Sequence, residues 1–247
     1  TIQMVENFNR GGAAINQLAS QKGAKLQVVL LAEGKQTSDI TKGPAMSEGE
    51  CLDAINVGAN SVDFDSDILL LGEMGIGNST ISAALCLASF GGKSKDWVGA
   101  GTGSDLKGIE LKAKVIDLAY SVNALNLGSA FEILCALGGR EQAAICGALV
   151  AARQYRIPVL LDGFIACSAV APLSPYEGIF DHALVAHKSA EPGHMRLLKN
   201  MDKVPILDLG MRLGEGTGSA LALAVIKSAL ACHNGMATFA EAGIGER

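Results

Sequence analysis

Aromatic side chains are scarce. One Trp, three Tyr and seven Phe make up 4% of 247 residues, too few for the stacking platforms that bind single-stranded nucleic acid. There is no basic stripe and the net charge is −5, which argues against a binder of phosphate backbones. None of the six cysteines (Cys51, Cys86, Cys135, Cys146, Cys167 and Cys232) belongs to a CxxC pair. They stand in alanine- and leucine-rich segments, as small core residues do, so no disulfide framework and no zinc site is expected. His182, His187, His194 and His233 lack metal-ligand spacing such as HExxH and are taken as non-ligands, although His194, after Pro192-Gly193, is a candidate to line a cleft. No Ser-His-Asp or Cys-His pattern is apparent, and the GK(S/T) phosphate loop is missing. No apolar run is long enough to span a bilayer and no signal peptide opens the sequence, so the expected compartment is the cytoplasm.

What the sequence has is apolar bulk and glycine. Hydrophobic residues make up 49%, with a mean hydropathy of +0.30 and 30 glycines, which suits a large core with tight turns and close helix–sheet packing. Apolar runs at Leu26–Ala32, Ile68–Leu71, Pro158–Leu161, Ala183–Ala186 and Val204–Leu209 predict buried strands. Between them lie helical stretches: 1–20, 47–57, 81–90, 106–120, 127–137, 141–155, 164–170, 189–200, 217–233 and 236–242. Ser47 and Glu50 form a capping-box pattern at the start of the second of these. Alternating strands and helices, with strands apolar throughout, predict an α/β fold: a doubly wound, mostly parallel sheet with helices on both faces.

Three glycine-rich turns punctuate this pattern. Val204–Leu209 runs into Gly210-Met211-Arg212-Leu213-Gly214-Glu215-Gly216-Thr217-Gly218 and then a strong helix former. Ile68–Leu71 runs into Gly72-Glu73-Met74-Gly75-Ile76-Gly77-Asn78, followed by helix. The third unit, Trp97-Val98-Gly99-Ala100-Gly101-Thr102-Gly103, also enters a helix. Glycines let a backbone approach a ligand closely. A helix N-terminus behind each turn offers free N–H groups and partial positive charge. One anionic ligand shared by the three turns explains the repetition better than three independent loops do.

Glu73, Asp162, Glu191 and Glu215 all lie just past apolar strands. Parallel strands end on one edge, so these acids are expected to converge, and a carboxyl in a partly dry cleft can serve as general base. Turn or cap chemistry is an equal alternative for Asp162 and Glu191. Lys112 shares its helix with Lys107 and Lys114, and by spacing alone it belongs to a solvated face. The residues thus predict an α/β enzyme that handles a small phosphorylated ligand and uses glutamate as its acid or base.

Taken together, these motifs resemble one family. Arg10-Gly11-Gly12-Ala13-Ala14-Ile15-Asn16, Gly72–Thr80, Val98–Gly103, Leu161–Phe164, Ser189-Ala190-Glu191-Pro192-Gly193 and Arg212–Gly218 are similar to the nicotinate-nucleotide–dimethylbenzimidazole phosphoribosyltransferases of cobalamin lower-ligand synthesis. The similarity runs through essentially the whole chain. It implies transfer of the 5-phosphoribosyl group of nicotinate mononucleotide to 5,6-dimethylbenzimidazole, giving α-ribazole 5′-phosphate and nicotinate. It implies Glu215 as general base, Glu73 and Lys112 at the substrate site, and Ser189 in the base pocket. The amides of the glycine turns, with Lys112, would hold the 5′-phosphate: Gly75, Gly77, Asn78, Gly101, Thr102, Gly103, Gly214 and Gly216 belong to these turns, and Asp162 to the same substrate site. The implied partners are small-molecule substrates and a second copy in a homodimer, with no nucleic acid and no membrane. No metal or organic cofactor is needed.

The expected organisation is a Rossmann-like domain over 1–216, with C-terminal helices over 217–247 contributing to a small helical portion. Members of the family carry further chain before the Arg10–Asn16 motif, so this sequence is expected to be a fragment of a longer polypeptide. Many members have arginine where Ala100 stands. Paralogues acting on adenine or phenols, and a nucleotide-binding piece without turnover, are the alternatives.

Overall fold

The computed structural model describes residues 2–32, 35–101 and 103–245. Four strands form one parallel sheet in the order β1 (Leu69–Leu71), β2 (Val159–Leu161), β3 (Ala183–His187), β4 (Pro205–Leu207). The register aligns Leu70 with Leu160 and Leu160 with Leu184. At the far edge Val185 aligns with Pro205. Strand order follows chain order, so each crossover steps the same way across the sheet. Parallel connections share one hand, and successive crossovers of one hand and one direction land on the same face.

Burial divides the two faces. Val159, Leu161, Ala183 and Val185 point into the large core, and Leu160 and Ala186 into a smaller one with Ala222. Central β2 has no exposed side chain, as expected of a strand covered on both sides. The large core is built by α3 (Glu48–Asn60), α4 (Asn78–Phe90), α5 (Leu106–Val122), α6 (Ala130–Leu137), α7 (Arg140–Gln154), α8 (Phe164–Ala169) and α9 (Gly193–Asn200). Helices α3 and α7 meet backbone to backbone: a Cβ on Gly58 would strike the Ala144 carbonyl, and one on Gly147 the Ile55 carbonyl.

The opposite face is covered by α10 (Thr217–Gly235), which packs against β3 and against α2 (Ala14–Lys22). The predicted N-terminal helix is two helices, α1 (Ile2–Asn9) and α2. They are separated at Gly11, whose φ of +75° suits glycine. The Ser47 capping box forms as expected, with the Ser47 hydroxyl accepting from Glu50 N and the Glu50 carboxylate accepting from Ser47 N.

Several expectations fail. Leu26–Ala32 is not a strand. It leaves α2 through left-handed Gly23 as irregular chain, with Leu26, Val29 and Leu30 exposed by 37–43%. An apolar run becomes a strand only when another strand pairs with its backbone, and among the described residues none does. Trp97 and Val98, which lead into the third glycine turn, are buried behind a single 3₁₀ turn, Ser94–Asp96. Met236–Ala242 is a set of turns closed by Thr238 and Glu241, not a helix. Five of the cysteines are buried core residues, but Cys232 is exposed on α10.

Candidate active site

The carboxyl ends of the four strands supply the walls of one cleft. Strand β1 delivers Glu73, β2 delivers Asp162, and β3 delivers His187, Ser189 and Glu191. The loop after β4 runs back across the top of the sheet. It passes β3, where Ala190 N donates to Met211 O at 3.0 Å, and reaches β1, where Glu215 N donates to Glu73 O at 3.0 Å. At that landing a Cβ on Gly72 would overlap Gly216. Gly214, Glu215 and Gly216 are all left-handed, with φ of 82°, 64° and 84°. For Glu215, which has a side chain, this is a costly conformation.

Each turn is tied to another. Asp162 is buried, and its Oδ1 accepts from Ser219 N at 2.7 Å in the first turn of α10. Glu191 Oε1 accepts from Gly101 N at 2.9 Å. Lys112 Nζ donates to Ser79 Oγ at 3.2 Å and to the carbonyls of Gly99 and Ala100 at 3.3 and 3.4 Å. It therefore joins the third glycine turn to the start of α4. The amide of Asn78 donates to Glu73 Oε2, fixing that carboxylate in place.

Electrostatics set the acids apart. Burial raises the Glu73 carboxyl to about 7; the Asn78 amide opposes the rise, and nearby Glu141 and Asp162 add to it. A group near neutrality can both take and release a proton. Asp162 is also raised by burial, against the stabilising N–H groups of Ser219 and Gly216 and the neighbouring His187. Burial raises Glu215 as well, while the Ile15 N–H at the start of α2 favours its charged form. Its Oε2 is buried without a hydrogen-bond partner among the described residues.

Glu73, Gly75, Gly77, Asn78, Gly101, Asp162, Ser189 and Gly214 all line the cleft, and Glu191 lies with them. Glu215, Gly216, Gly103 and Lys112 are not among the described lining residues, and Thr102 lies outside the described residues. Two amides of the third turn are already engaged. Gly101 N–H goes to Glu191, and Gly103 N–H goes to Ala100 O at 3.2 Å. His194 does not line the cleft. It is fully buried, its Nδ1 accepts from Ser189 N at 2.8 Å, and burial lowers it to about 3, so it is neutral.

Two ionisable lining residues were not among the expected site residues. His187 ends β3 one residue past the predicted strand, the same position after an apolar run that singled out the acids. Arg212 is the only Lys or Arg among the described lining residues. It lies inside the last glycine run, three residues before Glu215.

A family model described as Phosphoribosyltransferase (DBI_PRT) matches residues 1–244. The nicotinate-nucleotide–dimethylbenzimidazole phosphoribosyltransferase of Rhodobacter capsulatus is 56% identical, over 98% of this chain and 72% of its own length. The protein of that name in a Ruegeria species is 53% identical, over 100% and 73%. Among solved structures, CobT from Thermus thermophilus superposes with a TM-score of 0.88 at 33% identity, covering 99% of this chain and 79% of that one.

Proposed function

This chain belongs to the DBI_PRT phosphoribosyltransferase family, and from that premise we propose that it transfers the 5-phosphoribosyl group of nicotinate mononucleotide to 5,6-dimethylbenzimidazole. The observation that carries this reading is the meeting of Glu73 and Glu215 over the carboxyl edge of the sheet, joined main chain to main chain. That junction sets one carboxyl, Glu73, on the cleft wall and a second, Glu215, on the loop that closes over it, an arrangement suited to a displacement in which the attacking base must lose a proton.

The bonds balance as follows. A ring nitrogen of dimethylbenzimidazole bonds to the anomeric carbon, and the bond from that carbon to the nicotinate nitrogen breaks. Its electron pair leaves with nicotinate as a neutral ring nitrogen, so no strong acid is required. The attacking ring gains positive charge, and its other N–H becomes acidic. Glu215 takes that proton, a contribution typically of ~10²–10⁴-fold. Ser189, on the cleft wall, faces the base, and its hydroxyl is held by Glu191 N at 3.3 Å. The 5′-phosphate is received by the Lys112 ammonium and by the start of α4 at Asn78 and Ser79, where the helix dipole favours an anion. Holding both reactants in one cleft supplies much of the remaining acceleration.

A second reading gives the base role to Glu73. It is favoured by one observation: Glu73 lines the cleft with its carboxyl near neutrality, whereas the Glu215 carboxylate turns toward α2. Homodimeric assembly and a cytoplasmic setting complete the reading; the family resemblance supports the first. Among the described residues no helix is long and apolar enough to cross a membrane.

The test is a transfer assay with nicotinate mononucleotide and dimethylbenzimidazole, with α-ribazole 5′-phosphate identified by mass and retention. Adenine and phenol are run in parallel. Product with dimethylbenzimidazole alone, or fastest with it, supports the assignment. Faster turnover of another base reassigns the acceptor, and nucleotide binding without product from any base sinks the transferase reading for this chain.

A further inference from the structure

Glu191 is an acid of the cleft to which the proposed reaction gives no task. It is 9% exposed and sits two residues beyond Ser189 at the end of β3. Burying a carboxylate is costly unless something within reach repays it. Here one partner does: the Gly101 N–H, at 2.9 Å across a span of ninety residues. The other oxygen, Oε2, has no hydrogen-bond partner among the described residues. The side chain lies so close to the turn that a Cβ on Gly99 would collide with Glu191 and with Pro192 Cδ.

The turn that Glu191 grips is the one on which Lys112 rests. Lys112 donates to the carbonyls of Gly99 and Ala100, and its Nζ lies 2.9 Å from where a Cβ on Gly101 would stand. Gly101 has a φ of +58°, so little in its own backbone preference fixes it there. The main chain of Glu191 also holds the Ser189 hydroxyl, at 3.3 Å. One residue therefore touches both the turn on which Lys112 rests, through its side chain, and Ser189, through its backbone N–H.

We propose that Glu191 is a positioning residue which, by accepting the Gly101 N–H, locks the chain at Gly99–Gly101 and so sets Lys112 for the phosphate of the nucleotide. The inference rests on the transferase reading for the identity of that nucleotide, but not for the contact itself. It also assigns the Gly101 amide to the protein's own carboxylate and leaves anion binding beside that turn to the ammonium of Lys112 on α5.

The test compares the full chain with Glu191→Ala and Glu191→Gln, the latter keeping an acceptor oxygen without the charge. Two quantities are measured: hydrogen exchange of the Gly101 amide, and the KM and kcat for nicotinate mononucleotide. Glu191→Ala is expected to speed exchange and to raise KM by about tenfold, the usual worth of a charge-assisted hydrogen bond, with kcat changed much less. Glu191→Gln is expected to restore protection and most of the KM. Unchanged Gly101 exchange in Glu191→Ala overturns the proposal. So does a Glu191→Gln variant that keeps the protection yet loses KM as alanine does, because charge and not the bond would then be at work. If Glu191→Ala does not fold, the glutamine variant decides alone, and lost Gly101 protection in it overturns the proposal. A wild-type chain without transfer would fail the transferase reading, while the exchange comparison would still decide the Glu191 contact.

Discussion

The main-chain N–H of Glu215 donates to the carbonyl oxygen of Glu73 at 3.0 Å. This bond closes the long loop from β4, at one edge of the sheet, onto the end of β1 at the other. It brings together two acids that are far apart in the chain, and it does so through backbone, so replacing either side chain leaves the junction intact.

For that reason Glu215→Gln is expected to fold normally and to bind nicotinate mononucleotide. Its transfer rate should fall by ~10²–10⁴-fold, the loss typical of a missing general base. Single-turnover product formation, set against equilibrium binding of the nucleotide, measures the two separately. Loss of less than about tenfold would shift the base role to Glu73.

Glu73 makes a prediction about pH. Its carboxyl is raised from 4.5 to about 7 in the folded chain. Between those values the folded protein holds a proton that the unfolded one has released. Stability from this group is therefore complete below pH 4.5 and is lost as pH rises toward 7. Glu73→Gln should flatten that decline in thermal melts across the window. A decline of the same slope in the variant would show that Glu73 is not its source.

The Gly72–Gly216 contact tolerates no side chain. A Cβ at Gly72 would lie 2.5 Å from Gly216 Cα and 2.6 Å from the Glu215 carbonyl carbon. Gly72→Ala should therefore cost about 1–3 kcal/mol of stability, as overpacking does. It should also reduce transfer beyond what the stability loss explains, because the junction moves. Melting temperature and kcat/KM are measured on the same preparation, and wild-type kcat/KM at a lowered melting point would contradict a role for the junction.

Lys112 should act on the nucleotide and not on the acceptor base. Lys112→Met is expected to raise KM for nicotinate mononucleotide by about tenfold or more, and to leave KM for dimethylbenzimidazole within about threefold. Steady-state kinetics with each substrate varied in turn make the comparison. An equal rise for both would place the fault in the fold of the turn.

Much of this was legible in the residues. An apolar run that ends in glycine and an acid marks the carboxyl end of a strand, because a parallel strand is covered on both faces and its loop must then turn at once. That logic placed Glu73, Asp162, Glu191 and Glu215 along one edge. It failed at Leu26–Ala32, where among the described residues no strand pairs with the same apolar signal; separately, the helix expected over Met236–Ala242 is a set of turns.

The sequence by itself determined the alternation of strands and helices, the glycine turns and the acids carried at their ends, since these follow from local periodicity and backbone sterics. Only the tertiary structure decided which atoms meet. Glu73 faces the cleft while Glu215 turns toward α2, and Gly101 gives its N–H to Glu191. His187 joins the wall that His194 only supports from behind. Such pairings depend on chain segments brought together across the sheet, and no local pattern encodes the distance between them.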